Sequence, residues 1–435
     1  MEASASSASN LSVEETEHTS VTPPLVTFAA DQVSGTVAVM EPPALVDSRQ
    51  PQGTHQPTSN SRRAWLFTIA GCFLLVGAIT AAVLAKQRDN HALLAKTATS
   101  EASRSANRHV PNPTAQDLYL KGRYYWNKRT PADLNKSLDL FTQAIVSDPD
   151  YALAYVGLAD CYNLLREYSV MSEAEAYPRA MAAARKAIEL DDSLAEAHNS
   201  LAFGTFWWSW DAVNAEAEFR RALALNPNYV LAHHWYATFL LSVGRNREAL
   251  DQIEIARQLD SGSASILADR ALILYDAGRQ DEAVALLNQI SENEPTFLSP
   301  HRYLALIDLV NGRYSEYLAQ ARKVAELSQD KVQMAIVDAG EKAFRSGGAE
   351  SVLPAVLQEQ EKLYAEGRIQ AYHLAQTYSL LGQNHEAMKY LGVAREHHES
   401  QLANVREDPT LAKLHADPSY REFLTSIGLP RTSGS

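Results

Sequence analysis

Three consecutive windows of the chain, residues 230–263, 264–297 and 298–331, align without an insertion and place Gly244, Gly278 and Gly312 at one internal position. This recurrence of about 34 residues constrains the fold more than any other feature. A fixed period of that length marks a structural unit that cannot bury its own apolar face and must stack on copies of itself. Five residues after each glycine come Ala249, Ala283 and Tyr317, preceded by Glu248, Glu282 and Glu316. Glycine suits the turn between two helices, and a small alanine lets the paired helices cross closely. Tyr317 breaks that pattern and is expected to loosen or reshape its unit.

The units on either side are less regular. Residues 195–229 keep nearly the standard length, whereas 152–194 carry a long segment between helices around EYSVMSEAEAYP. Ala180, Ala184 and Ala187 share one helical face, as do Ala215, Phe219 and Ala222, because side chains three and four apart lie over one another on a helix. Phe141 and Ala144 repeat that face near 115–151, where Pro149 ends the helix. Residues 332–367 read as a further helical pair around Gly347 and Gly348. The pattern returns at 368–400 with Ala375, Tyr378, Gly382, Ala387 and Ala394. The ending DPTLAKLHADPSYREFLTSIGLP has no full repeat and reads as short helices covering the last apolar face, as a solenoid requires.

On these residues the chain resembles the tetratricopeptide repeat (TPR) family. Trp235 with Ala237, then Gly244, Ala249 and Ala256, carry the likeness. Trp235 sits two positions beyond the usual aromatic site, which His233 occupies. Pro149, Pro227 and Pro295 keep the terminal proline that Asp192, Ser261 and Gln329 replace. The stretches GRYYWNKRTP, WSWDAVNAEAEFRRALALNPNYVLAHHWYA and ADPSYREFLTSIGLP look like the membrane-linked TPR sensory half of bacterial ToxR/CadC-like winged-helix transcriptional regulators. Such relatives place a cytosolic signalling domain before a membrane span. Here the first 61 residues are too short and polar for a winged helix, so DNA binding is not carried over.

The expected fold is all-α: a TPR solenoid of stacked antiparallel helix pairs, preceded by a disordered tail and one transmembrane helix. Residues 1–61 hold seven acidic residues against Arg49 alone and read as a disordered polar tail. The uncharged 22-residue run AWLFTIAGCFLLVGAITAAVLA, 64–85, lies between Arg62/Arg63 and Lys86/Arg88. As a helix it would cover about 33 Å. Residues 62–88 are therefore read as a membrane anchor with flanking charges, 89–114 as a linker, 115–401 as the solenoid and 402–435 as a capping segment and tail. Lysine and arginine counts on the two sides do not decide orientation. The compact Arg62/Arg63 pair favours a cytoplasmic tail with the solenoid periplasmic, in a single-pass protein of a bacterial inner membrane. The bilayer is then one partner, through 64–85.

Formal charge is −13 with pI near 5.5, no basic stripe is visible, and direct nucleic-acid binding is not expected. Cys72 and Cys161 are the only cysteines and carry no redox reading. No Walker loop, G-x-S-x-G elbow, H-E-x-x-H run or zinc-spaced Cys/His set occurs, so no enzyme, cofactor or metal is expected. His233, His234, His397 and His398 read as packing or surface residues, and Asp191/Asp192 as helix-end solvation. The expected function is a membrane-tethered TPR scaffold or adaptor that binds a protein or peptide partner. Two alternatives stand beside it: a sensory component of a signalling or transcription-regulatory system without its own DNA-binding domain, and a degenerate relative of a TPR-linked cyclase or kinase. In the TPR family the inner positions of the first helices contact peptides. The resemblance therefore implies a candidate protein-binding groove at Asp160, Asn163, Asn199, Phe203, Phe206, Trp207, His234 and Thr238. The plain reading of FWWSW is packing between repeats, with a partner-facing ring as the other.

Overall fold

The computed structural model describes residues 109–168 and 171–429, all within one compact unit, Leu94–Ser435. Sixteen helices pair into eight hairpins among these residues. They are α1 (Pro113–Lys128) with α2 (Pro131–Ser147), α3 (Ala152–Tyr168) with α4 (Glu173–Leu190), α5 (Ala195–Ser209) with α6 (Ala212–Leu225), and α7 (Val230–Ser242) with α8 (Asn246–Leu259). There follow α9 (Ala264–Asp276) with α10 (Gln280–Asn293), α11 (Leu298–Val310) with α12 (Tyr314–Ser328), α13 (Lys331–Gly347) with α14 (Val352–Ala365), and α15 (Ala371–Leu380) with α16 (Asn384–Glu396). Two 3-10 turns, Ser400–Asn404 and Pro409–Leu414, lead to the short α17 (Pro418–Ser426). First helices touch first helices of the next hairpin, while second helices approach one another less. A stack with that asymmetry curves with its first helices inside: a TPR-like solenoid of paired helices.

Local chemistry sets the helix ends. Asn112 caps α1 by accepting from the Ala115 amide at 2.8 Å, with Pro113 in the first turn. Thr130 and Pro131 do the same for α2. Between paired helices, Gly244 (φ 78°), Gly278 (φ 80°) and Gly312 (φ 69°) take the left-handed conformation that glycine tolerates best. The two amides after α7 then return to its last carbonyls, Gly244 N to Leu241 O and Arg245 N to Leu240 O, both at 2.8 Å.

Packing rests on small residues facing large ones. Ala144, Ala184, Ala187, Ala215, Ala222, Ala249, Ala256 and Ala283 are fully buried. The fully buried Phe141 ring sits where α1, α2 and α3 meet, against Gly122 and Gly157. Tyr317 neither loosens its hairpin nor lies exposed. It is buried in a core of its own with Ala305, Leu318, Ala321, Ile336, Val337 and Val356, and burial pushes its hydroxyl pKa up to about 12.

A histidine clasp recurs in the first helices. His198, His233 and His301 each place Nε2 near a carbonyl of the preceding loop, of Asp192 (3.0 Å), Pro227 (2.9 Å) and Pro295 (3.4 Å). Their Nδ1 atoms reach the second helix at Glu218 (2.6 Å), Gln252 (2.7 Å) and Gln320 (2.8 Å). Leu267 occupies the corresponding register in the intervening unit.

One expectation is corrected. Among the described residues no helix is long and apolar enough to cross a membrane. The longest, α4 with 18 residues, carries Glu173, Glu175, Arg179, Arg185, Lys186 and Glu189, whereas a span needs about 20 predominantly apolar residues. The run 64–85 lies outside the described residues, as do the tail 1–61 and most of the linker. The fold class of the described residues is therefore an all-α solenoid, with no transmembrane helix among them. The tether, the bilayer partner through 64–85, the membrane and transmembrane descriptors, and the single-pass inner-membrane location with a cytoplasmic tail and periplasmic solenoid all rested on that helix and are withdrawn with it.

Candidate protein-recognition surface

The inner helices are tied by two polar networks that cross hairpin boundaries. Arg123 of α1 donates to Asp160 Oδ2 of α3 at 2.6 Å, Ser200 of α5 donates to Asp160 Oδ1, and Asn163 Nδ2 donates to the Ser200 carbonyl at 3.0 Å. Burial raises the Asp160 carboxyl pKa above the usual carboxylate range, against the opposing pull of the Arg123 guanidinium and the Ser200 hydroxyl. Farther along, Asp269 of α9 lies 2.6 Å from His234 Nε2 of α7 and accepts from the Tyr303 hydroxyl of α11 at 2.5 Å. Burial works to raise the Asp269 carboxyl, but its hydrogen bonds with His234 and Tyr303 oppose it, and the carboxyl stays below its usual value. Each aspartate joins three successive first helices.

Between these networks lies an aromatic layer. Phe203 meets Trp235 at 4.5 Å between ring centroids, and Phe206 meets Phe239 at 4.8 Å edge to face. Helix α7 is buried around most of its circumference: His233, His234, Trp235, Tyr236, Phe239, Leu240 and Ser242 are all buried. A helix at the edge of a stack would keep one face in water; here a second layer covers it.

That layer is the chain's own C-terminal segment. His398 stacks on Trp210 with centroids 4.2 Å apart, meets Trp208 edge to face at 4.7 Å, and brings Nε2 to 2.7 Å from the Trp208 carbonyl. The Ser400 amide donates to Glu173 Oε2 at 3.1 Å, and the Ser242 hydroxyl donates to Asn404 Oδ1 at 2.6 Å. Leu402, Ala403 and Val405 are fully buried in the same apolar cluster as Phe203, Phe206, Trp207 and Trp235. Trp210 (φ 54°) and His398 (φ 56°) both hold left-handed backbone, which residues other than glycine adopt only where their surroundings hold them there. Glu399 anchors the segment's root by accepting from the Ala371 and Tyr372 amides at the start of α15, both at 2.9 Å.

The expected groove residues all lie on the inner helices, and Phe203, Phe206 and Trp207 share one apolar cluster with Leu402, Ala403 and Val405. Asp160, Asn199 and Phe206 are fully buried; Asn163, Phe203, Trp207 and His234 are buried; Thr238 is half-buried and turns its hydroxyl to the Trp235 carbonyl at 2.9 Å. Asp160 and His234 serve separate networks. Asn163 Oδ1 and both amide atoms of Asn199 have no hydrogen-bond partner among the described atoms. Sequence reasoning read His398 and FWWSW as packing or surface groups, and did not foresee that Glu173, Trp208, Trp210, Ser242, His398 and Asn404 meet. The aromatic pair after FW in FWWSW was the one visible signal; the others lie 162 to 227 residues from their partners. Among the described residues no group of three His, Cys, Asp or Glu side chains can hold a metal. The described fold is a scaffold of paired helices, without a catalytic sheet.

No protein-family profile matches the chain. The transcriptional regulator HilA of Salmonella typhimurium is 27% identical over 186 residues, 42% of this chain and 34% of HilA, and HilA of Salmonella typhi matches equally. The chain thus spans about a third of the length of the curated relatives it matches. Among solved structures, a thermophilic TPR protein of Thermus thermophilus overlaps 43% of the chain and 94% of its own length at 17% identity and TM-score 0.36. Yeast Tom70 overlaps 73% of the chain and 69% of its own length at 16% identity and TM-score 0.41. Overlaps this loose leave the fold assignment where the paired helices put it.

Proposed function

We propose that this chain is a protein-recognition component of a signalling or transcription-regulatory system, without catalysis of its own. The observation that carries the reading is the 186-residue similarity to a transcriptional regulator in a chain whose described part is a helical-pair solenoid. The resemblance of GRYYWNKRTP and ADPSYREFLTSIGLP to the TPR half of ToxR/CadC-like regulators supports the same assignment. Anchoring to a bilayer plays no part in it.

In this reading the inner surface built on Asp160, Asn163, Asn199, Phe203, Phe206, Trp207, His234 and Thr238 receives a protein or peptide segment. Leu402, Ala403 and Val405 pack in one apolar cluster with Phe203, Phe206 and Trp207, so a partner segment gains that part of the surface by exchange. Asn163 and Asn199 supply amide groups that an extended backbone would satisfy, and the aromatic layer supplies apolar area. A photo-crosslinking side chain replacing Asn404 in the full chain tests the proposal in the native cell. The expected result is capture of a signalling or regulatory protein, increased by His398→Ala, together with altered transcript levels when the chain is deleted. Unchanged transcripts and a captured set without any such protein would refute it.

A further inference from the structure

The first hairpin carries an exposed surface of apolar, aromatic and basic side chains. Leu120 is 59% exposed and Tyr124 61%, although both belong to a regular helix. With Lys121, Tyr125, Lys136 and Leu140 they line an open cavity of about 570 Å³. Lys136 Nζ stands 4.0 Å from the centroid of the Tyr125 ring and donates to its hydroxyl at 2.7 Å. Lys128 Nζ lies 4.7 Å from the Tyr124 centroid and 5.0 Å from that of Tyr125, and the two rings meet edge to face at 5.2 Å. The lysines thus hold two tyrosines upright on the surface. The Lys136 ammonium also holds the Tyr125 hydroxyl below the usual phenol range, which marks a locally positive surface.

No carboxylate lines the cavity. Asp117 pairs with Lys121 at 2.6 Å across exposed side chains, and Asp133 stays 3.8 Å from Lys128. The exposed Asp117–Lys121 pair is worth little and exchanges readily, and half-buried Asp133 is also engaged by the Thr130 hydroxyl at 2.7 Å. In a chain of net charge −13, an acidic ligand is disfavoured over most of the surface and favoured here, so charge selects both the ligand and its place.

We propose that Leu120, Lys121, Tyr124, Tyr125, Lys136 and Leu140 form a docking surface for an acidic peptide segment of a partner protein, one carrying an aromatic or leucine side chain between its carboxylates. The apolar side chain enters between Leu120, Tyr124 and Leu140, and flanking Asp or Glu residues meet Lys121 and Lys136. The surface is separate from the one covered by residues 397–405. It rests on the reading of the chain as a recognition component only for the partner's being a protein.

A phage-displayed random dodecapeptide library panned on the full chain, followed by fluorescence anisotropy with the most enriched peptide, tests this. Enriched sequences should cluster Asp and Glu around Phe, Tyr or Leu, and their affinity should fall as salt rises. Tyr124→Ala and the double variant Lys121→Glu/Lys136→Glu should each weaken binding about tenfold or more, with an unchanged circular-dichroism melt because these side chains are exposed. His398→Ala should leave binding unchanged. Absence of acidic sequences, equal binding by the variants, or tighter binding of a single-stranded oligonucleotide to the same residues would overturn the proposal. Failure here with capture at Asn404 intact would sink this surface alone. Acidic-peptide binding with unaltered transcripts and no signalling or regulatory protein captured at Asn404 would sink the regulatory reading alone.

Discussion

Replacing Gly157 by alanine should destabilise the solenoid, although alanine is the better helix former. The ideal Cβ at this position falls 2.4 Å from Phe141 Cε1, 2.5 Å from Cζ and 2.6 Å from Cδ1. Carbon atoms prefer about 3.5–4.0 Å, so the ring must recede by about 1 Å. It has nowhere to go: Phe141 is fully buried, and a Cβ on Gly122 in the neighbouring helix would lie 2.5 Å from the same edge of the ring. Overpacking a close-fitted core costs about 1–3 kcal/mol, with the upper end fitting a rigid ring caught between two helix backbones. Helix propensity returns about 1 kcal/mol, for a net loss of about 2 kcal/mol. Gly392 in α16 is the internal control: nothing lies within 4 Å of its ideal Cβ and it has no left-handed backbone. The same substitution there should stabilise by about 0.5–1 kcal/mol. Urea denaturation of the full chain, followed by circular dichroism at constant m, reads both effects. Phe141→Leu should recover part of the Gly157→Ala loss in a double-mutant cycle. Equal or greater stability of Gly157→Ala, or shifts of one sign in both variants, would refute the reasoning.

Three further outcomes are expected. Asp160→Ala removes the carboxylate partner of the partly buried Arg123 guanidinium, while the Ser200 hydroxyl keeps its bond to the Glu196 carbonyl, and should cost about 1–3 kcal/mol, measured by the same denaturation. Burial, with Glu407 and Asp408 nearby, pushes the Asp276 carboxyl pKa up to about 7, above its unfolded value. Between about pH 4 and 7 the folded chain holds a proton that the unfolded chain releases, so stability falls as pH rises through that window and levels off above it; Asp276→Asn should therefore gain stability relative to wild type across about pH 4 to 7, and a difference independent of pH there would exclude the effect. His398→Ala removes the stack on Trp210 and the bond to the Trp208 carbonyl, so amide exchange should accelerate across 397–405 while protection in α1 and α2 stays unchanged.

Much of the helical-pair fold was legible in the residues. Gly244, Gly278 and Gly312 recur at one register because each turn needs a left-handed residue, and the alanines at 249, 256 and 283 recur because helices cross there at close range. Tyr317 misled because a tyrosine at an alanine position reads as a defect until the neighbouring Ala305, Ala321 and Val337 are seen to make room. The histidine clasps at 198, 233 and 301 follow the period too, with partners six residues before and 19 or 20 after, but that these separations mean contact shows only once each hairpin closes. The apolar run 64–85 led to a membrane helix on hydropathy alone, and the described solenoid contains no counterpart.

The sequence by itself determined what depends on contacts within a hairpin and between adjacent hairpins, since those pairings recur at fixed separations and leave a period in the chain. Tertiary structure alone decided that Glu173, Trp208, Trp210 and Ser242 meet residues 398–404. That meeting depends on small rotations summed over the intervening hairpins, and no residue or spacing records the sum. The same curvature brings the chain's own end against Glu173 of α4, Trp208 of α5 and Ser242 of α7.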